Sequence, residues 1–92
     1  MQPATIIVKA WFTNEEIDKI IQALPKARNL TGRESEVFVE ILEGKKQKEI
    51  AYDLGIEITT VKDFCRKIYD KLDFVNKEDL LKKCSELIDP KV

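Results

Sequence analysis

Residues 47–72 read QKEIAYDLGIEITTVKDFCRKIYDKL, and this stretch decides the fold. Its apolar spacing predicts two helices, about Gln47–Leu54 and about Thr59–Leu72, joined by a tight turn that begins at Gly55. Such a pair needs a small residue where the helices touch, here Ala51, and a turn residue that tolerates positive φ, here Gly55. Apolar residues must also hold the second helix against the first, and five have suitable positions: Ile50, Leu54, Ile56, Val61 and Phe64. This spacing indicates a helix-turn-helix, and two core helices that merely share it are the alternative.

The second helix of this pair has an apolar face and a charged face. The residues expected to point inward are Val61, Phe64 or Cys65, Ile68 and Leu72. The residues on the opposite face are Thr60, Lys62, Asp63, Arg66 and Lys67. Arg66 and Lys62 suit guanine O6 and N7 in a major groove, whereas Asp63 can accept a hydrogen bond from cytosine N4 and repels phosphate. A solvated surface without a ligand is the alternative interpretation of this face.

The chain before this pair gives further start and stop signals. Thr5–Phe12 is rich in β-branched and aromatic residues, which predicts a short strand. Thr13 and Glu16 have the spacing of a capping box, which predicts a helix that Pro25 ends. We expect residues 26–29 to form a polar linker.

Two more helices are predicted around the pair. Thr31 and Glu34 form a second capping-box pattern, which predicts the start of a helix. Gly44 supplies the left-handed stop at the end of that helix. The last helix is expected at about Lys77–Ile88, and its apolar stripe is Leu80, Leu81, Cys84, Leu87 and Ile88. This stripe is interpreted as core, as a dimer interface, or as both.

The composition limits the chain to one compact domain. It has 92 residues, 43% of them hydrophobic and 36% charged, with a net charge of −1. Many DNA-binding domains are more basic, since phosphate contacts dominate their affinity. The charges are uneven, however, because residues 30–44 carry one basic residue and four acids, while residues 45–71 carry seven basic residues and five acids. The basic excess therefore falls on the helix pair.

Other classes of protein are disfavoured by what the sequence lacks. No apolar run is long enough to cross a bilayer, and the first residues do not resemble a signal peptide, so the expected location is the cytoplasm, without membrane contact. Cys65 and Cys84 lie far apart and the chain has no histidine, which argues against a metal site and favours packed thiols. With no nucleophile–base pair and no glycine-rich phosphate loop, we expect neither an enzyme nor a cofactor.

The motifs along residues 30–88 resemble, in order and spacing, the LuxR-type (GerE-like) DNA-binding domain. The matching residues are Leu30-Thr31-Gly32-Arg33-Glu34, Val37, Glu43-Gly44, Lys48-Glu49-Ile50-Ala51, Leu54-Gly55-Ile56, Thr60-Val61-Lys62, Ile68, Lys71-Leu72 and Asn76. The resemblance implies a mainly α fold of four helices, the second and third forming the helix-turn-helix and the fourth commonly pairing two copies. We therefore expect an N-terminal strand-helix extension in residues 1–29 and a helix-turn-helix DNA-binding domain in residues 30–92.

The resemblance also implies roles for individual residues. The base-contacting positions are Thr60, Lys62, Asp63 and Arg66. The phosphate-contacting positions are Lys46, Lys48, Thr59, Lys67 and Lys71, while Lys45 and Lys46 fit an ordinary polar loop equally well. The implied dimer interface is the stripe of the last helix. This chain departs from the family pattern at Glu57, where serine is usual, at Phe64, where histidine is usual, and near Lys46 and Gln47, where a serine or threonine cap is common.

Together these features predict a stand-alone transcription regulator that binds duplex DNA as a homodimer, with the helix at about Thr59–Leu72 in the major groove. The alternative is a drifted helix-turn-helix that serves as an interaction module for another regulator or for RNA polymerase. Glu57, Asp63 and the near-neutral net charge favour this alternative.

Overall fold

The computed structural model of the chain describes residues 11–88, and this part is helical. Five α-helices and one 3-10 helix follow one another in the order α1 (Asn14–Ala23), the 3-10 helix (Pro25–Asn29), α2 (Gly32–Leu42), α3 (Gln47–Leu54), α4 (Ile58–Leu72) and α5 (Lys77–Ile88). The prediction of a mainly α fold, with four helices after an N-terminal helix, is confirmed.

Two predictions about the N-terminal part are not confirmed, namely the strand and the linker. The predicted strand Thr5–Phe12 lies almost wholly outside the described residues, and Trp11 and Phe12, its last two positions, are not in a strand. The linker expected at residues 26–29 is instead part of the 3-10 helix, because Pro25 has the fixed φ of a first helical residue. The N–H of Ala27 donates to the carbonyl of Leu24 at 3.0 Å within this turn.

Both predicted capping boxes are present and fix where α1 and α2 begin. The hydroxyl of Thr13 accepts from the N–H of Glu16 at 3.2 Å, and the Glu16 carboxylate accepts from the N–H of Thr13 at 3.0 Å. Thr31 and Glu34 repeat this exchange at 3.1 and 2.9 Å. Each such cap stabilises its helix by about 1 kcal/mol.

One apolar cluster joins all five helices. Its buried members are Phe12, Ile17, Ile20, Val37, Phe38, Ile41, Leu42, Ile50, Ala51, Val61, Cys65, Ile68, Leu72, Phe74, Leu80 and Cys84. Helix α4 packs against α2 and α3, while α1 packs against α5. The boundary between residues 1–29 and 30–92 stays a prediction, and α1 shares the core of the helices that follow it.

The N-terminal segment is also tied to α2 through its backbone. The N–H of Phe12 donates to the carbonyl of Leu42 at 2.7 Å, where α2 ends. Cys65 and Cys84 are free and buried, as predicted, and burial raises the pKa of the Cys84 thiol to about 12. Among residues 11–88, no helix combines the length and the apolar character that crossing a bilayer requires.

Candidate nucleic-acid interface

The turn between α3 and α4 is built on a left-handed glycine. Gly55 ends α3 with φ 65° and ψ 38°, a conformation that costs a side-chain-bearing residue about 1 kcal/mol or more. The N–H of Ile56 then donates to the carbonyl of Ala51 at 3.0 Å, which closes the turn. The carbonyl of Glu57 accepts from the N–H of Val61 at 3.1 Å and so begins α4. The predicted helix-turn-helix is therefore present, with α4 starting one residue earlier than expected.

Helix α4 is held to the body of the protein by one apolar face. Its buried residues are Val61, Cys65, Ile68 and Leu72, while Phe64 is half-buried and packs against the core. Cys65 therefore takes the inward position that the sequence left open between the two residues. Since four turns of the helix are anchored in this way, the opposite face has a fixed orientation.

The side chains predicted to contact bases share this opposite face. Thr60, Lys62 and Arg66 are exposed, and the side chain of Asp63 is 44% exposed. The structure thus places all four candidates on the solvent side of α4, with Thr60, Lys62 and Asp63 in its N-terminal half and Arg66 just past its midpoint. In a helix-turn-helix this is the part of the second helix that reaches base edges.

The charges on this face are partly paired with one another. The guanidinium of Arg66 contacts one carboxylate oxygen of Asp63, and the ammonium of Lys67 lies 3.4 Å from the other. Lys62 forms no ion pair within residues 11–88. Two of the three cations on the face therefore share a single anion.

Four of the five predicted phosphate contacts fall into two groups, and the fifth, Lys67, is the cation beside Asp63. Lys46, Lys48 and Thr59 are exposed, and the ammonium groups of the two lysines form no ion pair in the described part of the chain. Lys71 is different, because its ammonium donates to Glu34 at 2.7 Å and to the carbonyl of Asn29 at 3.3 Å. Two of the three N–H groups of the Lys71 ammonium are therefore already engaged within the protein.

Two ion-pair clusters beside the interface were not predicted. The carboxylate of Glu34 is nearly buried, and the hydrogen bonds from the Lys71 ammonium and the Thr31 N–H hold the pKa of Glu34 below its usual value. Lys45 is the centre of the second cluster. Its ammonium lies 2.8 Å from Asp53 and 3.0 Å from Glu40, and these hydrogen bonds raise the pKa of Lys45.

Sequence reasoning could find neither cluster from local spacing. Glu34 and Lys71 are 37 residues apart, and no periodic pattern connects them. Lys45 does lie close to Glu40 and Asp53, but five and eight residues are not spacings that adjoin on one helix. Only the packing of α2 against α3 and α4 brings these groups together.

A groove runs along the exposed face of α4 and shares Lys62 and Arg66 with it. It has a volume of about 390 Å³ and is lined by Gln47, Lys62, Cys65, Arg66, Tyr69, Asp70, Phe74 and Val75. Burial raises the pKa of Tyr69 to about 12, so that this phenol stays protonated. Tyr52, on the exposed side of α3, is 87% exposed and is another aromatic side chain that the sequence did not single out.

Two residues at α4, Glu57 and Phe64, depart from the family pattern, and the structure shows where each side chain lies. Glu57 is the residue before α4, and its side chain makes no capping hydrogen bond to the helix. Phe64 uses its ring as packing against the core. Within residues 11–88, no group of cysteine or carboxylate side chains is arranged to hold a metal ion.

The predicted dimer stripe on α5 divides into a buried and an accessible part. Leu80 and Cys84 are fully buried against the chain itself. Leu81 and Ile88 are half-buried, and Leu87 is 37% exposed. Of the predicted stripe, the accessible members are therefore Leu81, Leu87 and Ile88.

Comparison with known proteins identifies the family. Residues 28–83 match the family described as bacterial regulatory proteins, luxR family. The transcriptional regulatory protein DesR of Bacillus subtilis is 36% identical over 61 residues, which are 66% of this chain and 31% of that protein. The HTH-type transcriptional regulator MalT of Vibrio cholerae is 28% identical over 82 residues, which are 84% of this chain and 9% of MalT.

The chain thus spans less than a third of one relative and less than a tenth of the other. No solved structure matches this chain significantly. Both named relatives are described as transcriptional regulators, as the sequence led us to expect. By the match over residues 28–83, this chain belongs to the luxR family of bacterial regulatory proteins.

Proposed function

We propose that the chain binds duplex DNA through the α3–α4 pair, with the exposed face of α4 in the major groove. The observation that carries this proposal is the placement of Lys62, Arg66 and Lys67 on the one face of α4 that the core leaves open. Phosphates attract such a cationic face, and guanine offers it two acceptors in the major groove. Family membership supports the same conclusion.

The surrounding residues suit contact with the DNA backbone. Lys46 and Lys48 stand at the start of α3 and Thr59 near the start of α4, all of them exposed. Contacts of this kind fix the orientation of a helix on the duplex without reading its sequence. Lys71 contributes by holding the far end of α4 to Glu34.

The experiment is selection from a pool of random duplexes, followed by affinity measurements at low and moderate salt. The double variant Lys62→Ala/Arg66→Ala should lose roughly a hundredfold or more in affinity, since each good base contact is worth about 1–3 kcal/mol. The matched control, Lys19→Ala/Lys82→Ala, removes two exposed charges from α1 and α5 and should retain nearly full affinity. If the folded wild-type protein binds no duplex at either salt, the proposal is wrong.

The proposal includes the pairing of two copies through α5. Leu87 supports it as an exposed apolar side chain flanked by half-buried Leu81 and Ile88. A twofold pair would match a two-part DNA site. Sedimentation with and without duplex tests this point, because Leu87→Glu should prevent pairing while Val75→Glu, an exposed apolar residue outside α5, should not.

A second candidate function is an interaction module for another regulator or for RNA polymerase. Two features favour it, namely the neutralisation of two cations by Asp63 and the exposed ring of Tyr52 on α3. Salt separates the candidates, because phosphate contacts give a steep loss of affinity with salt and protein contacts need not.

A further inference from the structure

Asp63 lies between two of the cations on the exposed face of α4. One of its carboxylate oxygens contacts Arg66, one turn further along α4, and the other lies 3.4 Å from the ammonium of Lys67. The Arg66 side chain is 78% exposed and that of Lys67 is 55% exposed. Asp63 therefore compensates two cations at the surface that would meet DNA.

These pairs are weak enough to be exchanged for a ligand. Ion pairs three or four residues apart on an exposed helix contribute only about 0.3–0.5 kcal/mol, and water screens them. Asp63 consequently does not lock Arg66 in place. Whether Arg66 is paired with it or bound to a ligand, Asp63 brings one negative charge close to the cations of this face.

That charge acts most strongly against DNA of the wrong sequence. Binding without base contacts depends on neutralised phosphates, and its affinity depends on how many cations are available for them. A carboxylate between Arg66 and Lys67 reduces that number and repels phosphate at short range. Non-matching duplexes have no contact that would offset this repulsion.

A duplex of matching sequence can offset this repulsion between Asp63 and the phosphates. In the major groove a carboxylate is an acceptor only, so it suits the amino group of cytosine and opposes guanine O6, guanine N7 and thymine O4. Arg66 beside it has the complementary preference, since its guanidinium donates to guanine. The pair of side chains thus favours a G·C pair or a G·C-containing step over other sequences.

We infer that Asp63 is the specificity-determining residue of this interface. It lowers affinity for a non-matching duplex more than for a duplex that offers it a cytosine amino group. This inference rests on the proposed function, because it concerns the way in which the α4 face discriminates among duplexes.

The test compares two short duplexes, one recovered from the random pool with the wild-type protein and one of scrambled sequence with the same composition. Affinities are measured across about 50–200 mM salt. Asp63→Asn should bind the scrambled duplex about tenfold more tightly at low salt, with the salt slope steeper by about 1 to 2. Its ratio of affinities for the two duplexes should fall at least tenfold.

Two further variants show which property of Asp63 matters. Asp18→Asn removes an exposed carboxylate from α1, outside the α3–α4 pair, and should behave as the wild type. Asp63→Glu keeps the charge and displaces the carboxylate. It should keep the wild-type salt slope and lose part of the preference for the recovered duplex.

Three results would overturn the inference. Asp63→Asn could bind the scrambled duplex no more tightly than Asp18→Asn does, could gain equally on both duplexes, or could lose the recovered duplex without a gain on the scrambled one. In the last case Asp63 is an ordinary base contact. If neither the wild type nor Asp63→Asn binds any duplex, it is the proposed function itself that fails, and the inference with it.

Discussion

Helix α4 carries two sets of charged side chains that differ in burial and therefore in role. At its C-terminal end, Lys71 pairs with Glu34 of α2, whose side chain is only 5% exposed. In its middle, Arg66 pairs with Asp63 on a face open to solvent. Both are contacts between a cation and a carboxylate, but a charge without its partner is costly only where water cannot replace it. Burial, rather than the number of basic residues, separates cations that hold the fold from cations available to a ligand.

The pair between Lys71 and Glu34 should show the largest effect on stability. Lys71→Ala leaves a nearly buried carboxylate with only the Thr31 N–H as partner, and should lower the free energy of unfolding by about 2 kcal/mol. Urea denaturation measures this change. The control is Lys67→Ala on the same helix, which should change stability by less than about 0.5 kcal/mol. Equal losses of stability in the two variants would mean that burial does not decide how much each ion pair contributes to the fold.

Lys45 links α2 to α3 through its ion pairs with Glu40 and Asp53. Its substitution should have the next largest effect on stability. Lys45→Ala leaves Glu40 without its cation, and one oxygen of that carboxylate already has no partner within the described residues. We expect a loss of about 1 kcal/mol, since Lys45 is a third exposed. Lys46→Ala, at the next position and without an ion pair, should be neutral within about 0.5 kcal/mol and should weaken DNA binding instead.

The sequence predicted those features of the fold that depend on neighbours three or four residues apart. Thr31 and Glu34 indicated the start of α2, and Gly55 indicated the turn of the helix-turn-helix, because caps and left-handed turns are local in the chain. The exposed face with Lys62 and Arg66 followed in the same way from helical periodicity. These predictions needed no knowledge of the tertiary packing.

The pairing of individual cations could not be predicted, because it depends on contacts between helices. Lys46 and Lys71 were expected to have the same role, as phosphate contacts, yet only Lys71 has a buried carboxylate opposite it. Leu80 and Cys84 are likewise buried on a helix that packs against α1, and α1 has no counterpart in the motifs that identified the domain. Both phosphate contact and dimer pairing stay predictions.

The pH dependence of stability should distinguish two carboxylates of α2. Hydrogen bonds from Lys71 and Thr31 lower the pKa of Glu34, so its stabilisation is present above the unfolded value of 4.5 and is lost as the pH falls through the lower folded pKa. Burial raises the pKa of Glu40, so its contribution has the opposite sign and is lost as the pH rises.

Urea denaturation of the wild type between about pH 6 and 3 tests this difference. Glu34→Gln should make the loss of stability on acidification shallower, because the variant has no proton to take up at this position. Glu40→Gln should make the loss steeper. The same change of slope in both variants would contradict the opposite shifts of the two pKa values.

The smallest effect on stability is expected at the exposed pair, and it completes the comparison within α4. Asp63→Asn removes contacts to Arg66 and Lys67, but water solvates both cations well, so the free energy of unfolding should change by less than about 0.5 kcal/mol. The same substitution is expected to change DNA selectivity about tenfold. Measured side by side with Lys71→Ala, it should separate stability from recognition along one helix. A stability loss from Asp63→Asn as large as that from Lys71→Ala would show instead that the exposed charges also support the fold.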